Sequence, residues 1–128
     1  MATKPSGPIS AKLFHAIMMV ESSGDVDAVG DQGKSIGAYQ IQEPYWRDAT
    51  DFKSELTANG ETWQDCKGTG SLTYSEKVMQ AYMERYATKS RLGHDPKDED
   101  LARIHNGGPN GYKNPNTVQY WVKVKKYL

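Results

Sequence analysis

Cysteine is almost missing from this chain. Cys66 is the single thiol in 128 residues, so no disulfide can close within the chain and the fold must stand on packing. No histidine or second cysteine lies at a catalytic or metal-binding spacing from Cys66, which therefore reads as a passive buried thiol. Net charge is missing too. Sixteen basic and sixteen acidic side chains balance to zero, which argues against a dedicated nucleic-acid binder. No apolar run is long enough to span a bilayer, so no membrane insertion is expected. Met1–Ile9 carries Lys4, Pro5 and Pro8 without the apolar core of a leader, so no signal peptide is expected. His15, His94 and His105 lie too far apart to read as a ligand motif, so no metal is expected, and nothing suggests a nucleotide cofactor. What is present is an ordinary balance, 37% hydrophobic and 25% charged, in a chain of single-domain length. Residues 1–9 read as a flexible arm and 10–128 as one domain.

The chain is organised around Met18–Gln42. Before it, Leu13, Phe14, Ile17, Met18 and Val20 recur at helical spacing, and Ser10 suits the N-cap of a helix over Ser10–Val20. Glu21 follows Ile17 by four positions and Met18 by three, which puts a carboxyl on or beside the apolar stripe at the helix end. A carboxyl at the edge of an apolar surface keeps its proton longer and can serve as a general acid near neutral pH. The plain alternative is a solvated glutamate at a frayed end. Ser22-Ser23-Gly24 stops the helix. Gly24, Gly30 and Gly33 then permit reversals that can bring Asp31 opposite Glu21. Asp31 is otherwise an ordinary turn aspartate, and Asp25 and Asp27 compete with it in the same loop. Ile36–Gln42 reads as a short strand, with Tyr39 and Ile41 on one face and Gln40 and Gln42 on the other. A helix-borne acid facing a carboxylate on a hairpin is one way to build a glycoside-cleaving site.

Further on, Pro44 suits the first turn of a helix reaching about Phe52, with Tyr45 and Trp46 either in the core or lining a cleft. Ser54–Gly70 reads as loop with a helical turn near Thr62–Cys66, where Trp63 either plugs the core or offers a platform. Thr73 opens a clear helix, with Glu76 as a possible capping-box partner and Val78, Met79, Tyr82, Met83 and Tyr86 as its stripe. Leu92–Pro96 is a break. Asp98–His105 is a shorter helix, followed by the glycine turn from His105 to Tyr112. A last helix begins at Asn116-Thr117, with Val118, Trp121, Val122 and Lys125 giving an apolar side and a basic edge. Lys113, Lys123, Lys125 and Lys126 gather there without nearby acids, a solvated face that can at best help meet an anionic surface.

Four segments, in order, resemble the invertebrate-type (i-type) lysozymes, the family that includes destabilase. They are Val20-Glu21-Ser22; Asp31-Gln32-Gly33 leading to Gly37-Ala38-Tyr39-Gln40-Ile41; Pro44-Tyr45-Trp46; and Ala102-Arg103-Ile104-His105-Asn106-Gly107-Gly108-Pro109, followed by Tyr120-Trp121. The resemblance covers roughly residues 10–125. It implies an α+β, mostly helical, lysozyme-like fold with a small β-hairpin beside the cleft. It implies a peptidoglycan hydrolase, a muramidase cleaving the β-1,4 bond between N-acetylmuramic acid and N-acetylglucosamine, with no cofactor. By matched position Glu21 would be the general acid and Asp31 the second carboxylate, while Tyr39, Gln40, His105, Asn106 and Gly107 would meet the sugar.

Two departures accompany the resemblance. Animal members are rich in cysteine, so this would be a disulfide-free relative. The family often reads Asp-x-Gly-Ser, whereas Lys34 follows Gly33 here and Ser35 is displaced by one position, so destabilase-type isopeptidase activity is not expected. Expected partners are bacterial cell-wall peptidoglycan or chitooligosaccharides, met by a monomer. Secreted or extracellular action is expected from that substrate; the single cysteine and the lack of a leader leave cytoplasmic storage, or a trimmed leader, as the other possibility. Two other readings stay open at this level. A lytic transglycosylase would need Glu21 alone, and a catalytically inactive peptidoglycan- or chitin-binding module would need neither carboxylate.

Overall fold

A computed structural model describes residues 7–128. Among the described residues six α-helices build one core and a small sheet flanks it. α1 (Ala11–Ser22) starts where Ser10 caps it, the serine side chain accepting from the Leu13 N–H. It buries Leu13, Phe14 and Ile17 of the predicted stripe together with Ala16, while Met18 and Val20 are half-buried against the core. The helix carries on past Val20 and takes Glu21 and Ser22 into its last turn. Ser23 then closes it in a left-handed conformation, φ 57°. Ile9, the last residue of the arm expected at 1–9, belongs to the core. Ile9 is fully buried, and both its N–H and its carbonyl bond the side-chain amide of Gln80, each at 2.9 Å. The rest of that arm, residues 1–6, lies outside the described residues.

The segment read as one strand, Ile36–Gln42, is two strands and a turn. β1 (Val29–Gly30), β2 (Ser35–Ile36) and β3 (Ile41–Gln42) form an antiparallel sheet in that order. Val29 faces Ile36, Gly30 faces Ser35, and Ile36 faces Ile41. Gly37 at φ 80° and Gln40 at φ 53° turn the chain between β2 and β3. No side chain would fit at Gly37, because a Cβ there would collide with the Cys66 carbonyl. Asp31–Lys34 forms the tip between β1 and β2.

α2 (Glu43–Phe52) begins with Pro44 in its first turn. A 3-10 turn at Trp63–Cys66 follows, and there Trp63 plugs the sheet by donating its indole N–H to the Ile41 carbonyl at 2.9 Å. α3 (Leu72–Tyr86) is the central helix and buries Val78, Met79, Ala81, Tyr82 and Met83. Glu76 does not cap it; its carboxylate accepts from the Tyr39 hydroxyl at 2.7 Å. A short α4 (Lys89–Leu92) and α5 (Asp98–Gly107) follow. α6 (Val118–Lys125) packs on α1 and α5. Its inward side is not the predicted one. Tyr120 and Val124 are buried, while Val118 and Val122 are exposed. Lys113, Lys123, Lys125 and Lys126 are exposed. No helix among the described residues is long and apolar enough to cross a membrane.

Candidate active site

The end of α1 is tied directly to the sheet. The Ser22 hydroxyl donates to the Ala38 carbonyl at 2.7 Å. That bond holds the residue before it, Glu21, against the turn that follows β2. Gln40 knits the same turn, its side-chain amide donating to the carbonyls of Gly37 at 2.9 Å and Ala28 at 3.3 Å. Between the helix end, the sheet and the last turn of α5 runs a cleft of about 580 Å³. Glu21, Asp31, Gln40, His105, Asn106 and Gly107 all line it. Tyr39, expected with them, does not. It is 2% exposed and its ring runs into the core against Phe14, leaving only its carbonyl near the site. Tyr39 and Ile41, which alternation puts on one face, are both buried in the core. Asp25 and Asp27 stay outside the cleft, where the Asp25 carboxylate caps the Asp27 N–H.

Glu21 is mostly buried, and that burial pushes its carboxyl up from 4.5 to about 7. The nearby charge of Asp31 pushes the same way, against a bond from Tyr120. The Tyr120 hydroxyl donates to Glu21 Oε2 at 2.8 Å. His105 Nε2 lies 3.5 Å from the same oxygen. That contact is not an ion pair near neutrality, because burial of His105 drives its imidazole down to about 4. The tautomer follows from the partners. Nε2 is 3.0 Å from the Tyr39 carbonyl, which can only accept, so Nε2 carries the hydrogen. Nδ1 therefore accepts, from the Tyr45 hydroxyl at 3.0 Å. Tyr45 in turn stacks on Tyr82, ring centroids 3.7 Å apart. His105 is thus a neutral strut between α5, the sheet and α2, placed beside the acid.

Asp31 sits at the hairpin tip in a left-handed conformation, φ 51°, followed by Gln32 at 59° and Gly33 at 91°. Three such residues in a row are a strained way to turn, and strain of this kind collects at functional sites. Its Oδ2 accepts from the Ser35 hydroxyl, and Ser35 Oγ accepts from the Gln42 amide at 3.3 Å. Asp31 itself is exposed to solvent.

The far wall is the end of α5. The helix runs two residues beyond His105, so Asn106 and Gly107 are helical and Gly108, at φ 85°, is the cap. The two glycines do different jobs. A Cβ on Gly107 would press 2.5 Å from the Thr117 methyl, whereas Gly108 supplies the left-handed turn. Arg91 buttresses the wall by donating to the Pro109 carbonyl at 2.9 Å and to Asn110 Oδ1 at 3.0 Å. Among the described residues no cluster of acids, histidines and cysteine could hold a metal ion. Tyr120, Ser35 and Asp48 are polar members of the site or its support that the sequence reading did not select. Tyr120 was within reach. Thr117, Tyr120 and Val124 are spaced by three and four, a helical face hidden because two of its members carry hydroxyls.

A mostly buried glutamic acid at a helix end, lining one cleft with a solvated aspartate on a β-hairpin, is an arrangement that can cleave glycosides, and the solved structures that share this mostly helical fold are lysozymes, a class of glycoside hydrolases. Within that class the chain belongs to the Destabilase family of invertebrate-type lysozymes, whose family model matches residues 10–127. It is 36% identical over 124 residues to an invertebrate-type lysozyme of Ruditapes philippinarum, covering 94% of this chain and 82% of that protein. It is 41% identical over 127 residues to lysozyme 1 of Crassostrea virginica, covering 94% of this chain and 60% of that longer protein. Among solved structures, the Tapes japonica lysozyme superposes with a TM-score of 0.75 at 35% identity, over 94% of this chain and 92% of the other. A structure of Meretrix lusoria lysozyme with Aeromonas hydrophila PliI also gives 0.75, at 32% identity over the same shares.

Proposed function

We propose that this chain is a peptidoglycan muramidase, hydrolysing the β-1,4 bond between N-acetylmuramic acid and N-acetylglucosamine. Glu21 is the general acid and Asp31 the second carboxylate. The observation that carries the reading is the placement of Glu21, a mostly buried carboxyl that lines one open cleft with the solvated Asp31 and whose burial raises it to about 7. Such a group still holds its proton in mildly acidic to neutral solution and can give it to a glycosidic oxygen. As that oxygen takes the proton, the bond to the anomeric carbon breaks and positive charge builds on the sugar ring. The solvated Asp31 carboxylate supports that charge. A water then adds, and its proton returns to Glu21. Asn106 offers an exposed amide to acetamido and hydroxyl groups from the α5 wall. Because peptidoglycan lies outside the cell membrane, the expected place of action is extracellular, and one chain contains all the groups the reaction uses.

The test is a mass spectrum of the fragments released from purified peptidoglycan. Hydrolysis gives reducing ends that carry one added water. Release of 1,6-anhydro ends instead would identify a transglycosylase acting through Glu21 alone. No release at all, with sugar binding intact in both wild type and Glu21→Gln, would leave only a binding module. Glu21→Gln should lose turnover by about 10²–10⁴-fold while staying folded, since the amide keeps the shape but cannot deliver a proton. Wild-type activity should fall on the alkaline side of about pH 7, as the acid loses its proton.

A further inference from the structure

The two oxygens of Glu21 are not equivalent. The Tyr120 hydroxyl donates to Oε2 at 2.8 Å, and His105 Nε2, whose hydrogen goes to the Tyr39 carbonyl, lies 3.5 Å from the same oxygen. Among the described residues Oε1 has no protein partner. Tyr120 comes from α6, and it does not line the cleft although the residue it holds does. We propose that Tyr120 is a positioning residue for the acid: its hydroxyl keeps Oε2 as the hydrogen-bond acceptor, so the transferable proton rides on Oε1, and the same bond tightens when that proton leaves. This rests on the reading of Glu21 as the general acid.

A tyrosine hydroxyl at high pKa donates, and an oxygen accepting that hydrogen cannot also present its own to the tyrosine. Burial holds the Tyr120 phenol well above its ordinary range, so it remains a donor throughout. In the acid form the bond is between neutral groups. Once Glu21 has given its proton away it becomes charge-assisted, which is shorter and stronger. An interaction that strengthens as the proton moves lowers the barrier instead of merely stabilising the resting enzyme. The other groups facing Glu21 are Asp31 from the hairpin tip, Tyr45 from α2 and His105 from α5, with Asp48 and Tyr82 further along the cleft. Of these, His105 is neutral and already donates to the Tyr39 carbonyl, and Tyr45 donates to His105. Among the described residues that leaves Tyr120 as the one donor committed to the acid. The plain alternative is that Tyr120 only satisfies a buried hydroxyl and packs α6 onto α1.

The experiment measures the Glu21 titration directly, by carbon-13 NMR of side-chain-labelled glutamate in the whole protein, with Glu21→Gln used to assign the signal. Tyr120→Phe keeps the ring and removes the donor. The expected result is a Glu21 midpoint about 0.5–1 pH higher than in wild type, with the alkaline limb of kcat moving with it. On the acidic plateau kcat should fall by roughly threefold to thirtyfold while KM stays within about twofold, because the lost bond belongs to the proton-transfer step. As a second variant, 3-fluorotyrosine at position 120 keeps the bond but makes a stronger donor, and should move the midpoint down. An unmoved midpoint in Tyr120→Phe, or an upward shift with fluorotyrosine, overturns the proposal; should Tyr120→Phe not fold, the direction of the fluorotyrosine shift decides alone. Failure of the functional reading would look different. Either Glu21→Gln would keep turning over or wild type would release no fragments, whatever the midpoints do.

Discussion

Asn106 is the residue where two roles predicted from sequence separate most cleanly. An amide near a helix end is either a cap or a ligand for something outside. The capping role is excluded by the length of α5, which carries Asn106 inside its last turn and ends on Gly108. The side chain is exposed, lines the cleft, and bonds no backbone group among the described residues. Asn106→Ala should therefore leave stability within about 0.5 kcal/mol of wild type, as expected for a surface change that breaks nothing. If it bonds an acetamido or hydroxyl group, catalytic efficiency should drop by about 1 kcal/mol, roughly fivefold. Melting curves and kinetics on chitooligosaccharide, run on one preparation, separate these. A lowered melting temperature with unchanged turnover per folded molecule would return Asn106 to a structural role.

Among the elements, the three-stranded sheet sets the distance between the two carboxylates, and its weakest tolerance is at Gly37. That residue needs φ 80°, touches the Cys66 carbonyl through its bare Cα, and donates its N–H to the Ala28 carbonyl at 2.8 Å. Gly37→Ala should cost about 2 kcal/mol or more by chemical denaturation, since both the backbone angle and the space are refused. Activity should fall further than the folded fraction does, because the hairpin that shifts carries Asp31. The same sheet is where the sequence was hardest to read. Alternation of Tyr39 and Ile41 suggests one continuous strand, and only the left-handed residues at 37 and 40 reveal the turn. Glutamine gives no warning of that conformation. α6 misled for another reason. Apolar weighting turned Val118 and Val122 inward, but the buried face includes Thr117 and Tyr120, whose hydroxyls find the Gly111 carbonyl at 2.7 Å and Glu21 at 2.8 Å. Periodicity registers oiliness and misses a hydroxyl that has a partner waiting. α1, α3 and α5 are legible because apolar residues dominate their buried faces, although α3 also buries Ser75 and Gln80 and α5 buries Asp100 and His105. Glu21 stands out in the sequence as an acid beside an apolar stripe, whereas Asp31 among glycines is ordinary turn chemistry that composition alone does not single out. The environment that gives Glu21 its chemistry arrives from α2, α5 and α6, and no local window of sequence contains it.

Across the whole molecule, this site should shape stability against pH in a way that one substitution exposes. Glu21 and His105 are both buried with displaced proton affinities, and they are displaced in opposite senses. Glu21 rises from 4.5 to about 7, so between those values the folded chain holds a proton that the unfolded chain has lost. Stability from this group falls as pH rises through that window. His105 drops from 6.5 to about 4, so there the unfolded chain binds the proton and the folded chain refuses it. Stability from this group rises with pH through nearly the same window. The two slopes oppose each other, and their sum is close to level from about pH 4.5 to 6.5. Glu21→Gln removes one slope and leaves the other. At pH 4 the variant should match wild type, because the acid it replaces is already neutral. Above pH 7 it should be more stable than wild type, on the order of 1–3 kcal/mol, because no buried charge has to form. Between these limits its own stability should fall on acidification from 6.5 toward 4, where that of wild type changes little through these two groups. Urea denaturation of both proteins at pH 4, 5, 6, 7 and 8 measures the difference directly. A constant gap across the series would mean that Glu21 ionises as readily in the folded chain as in the unfolded one, and the acid would lose the property on which its role depends.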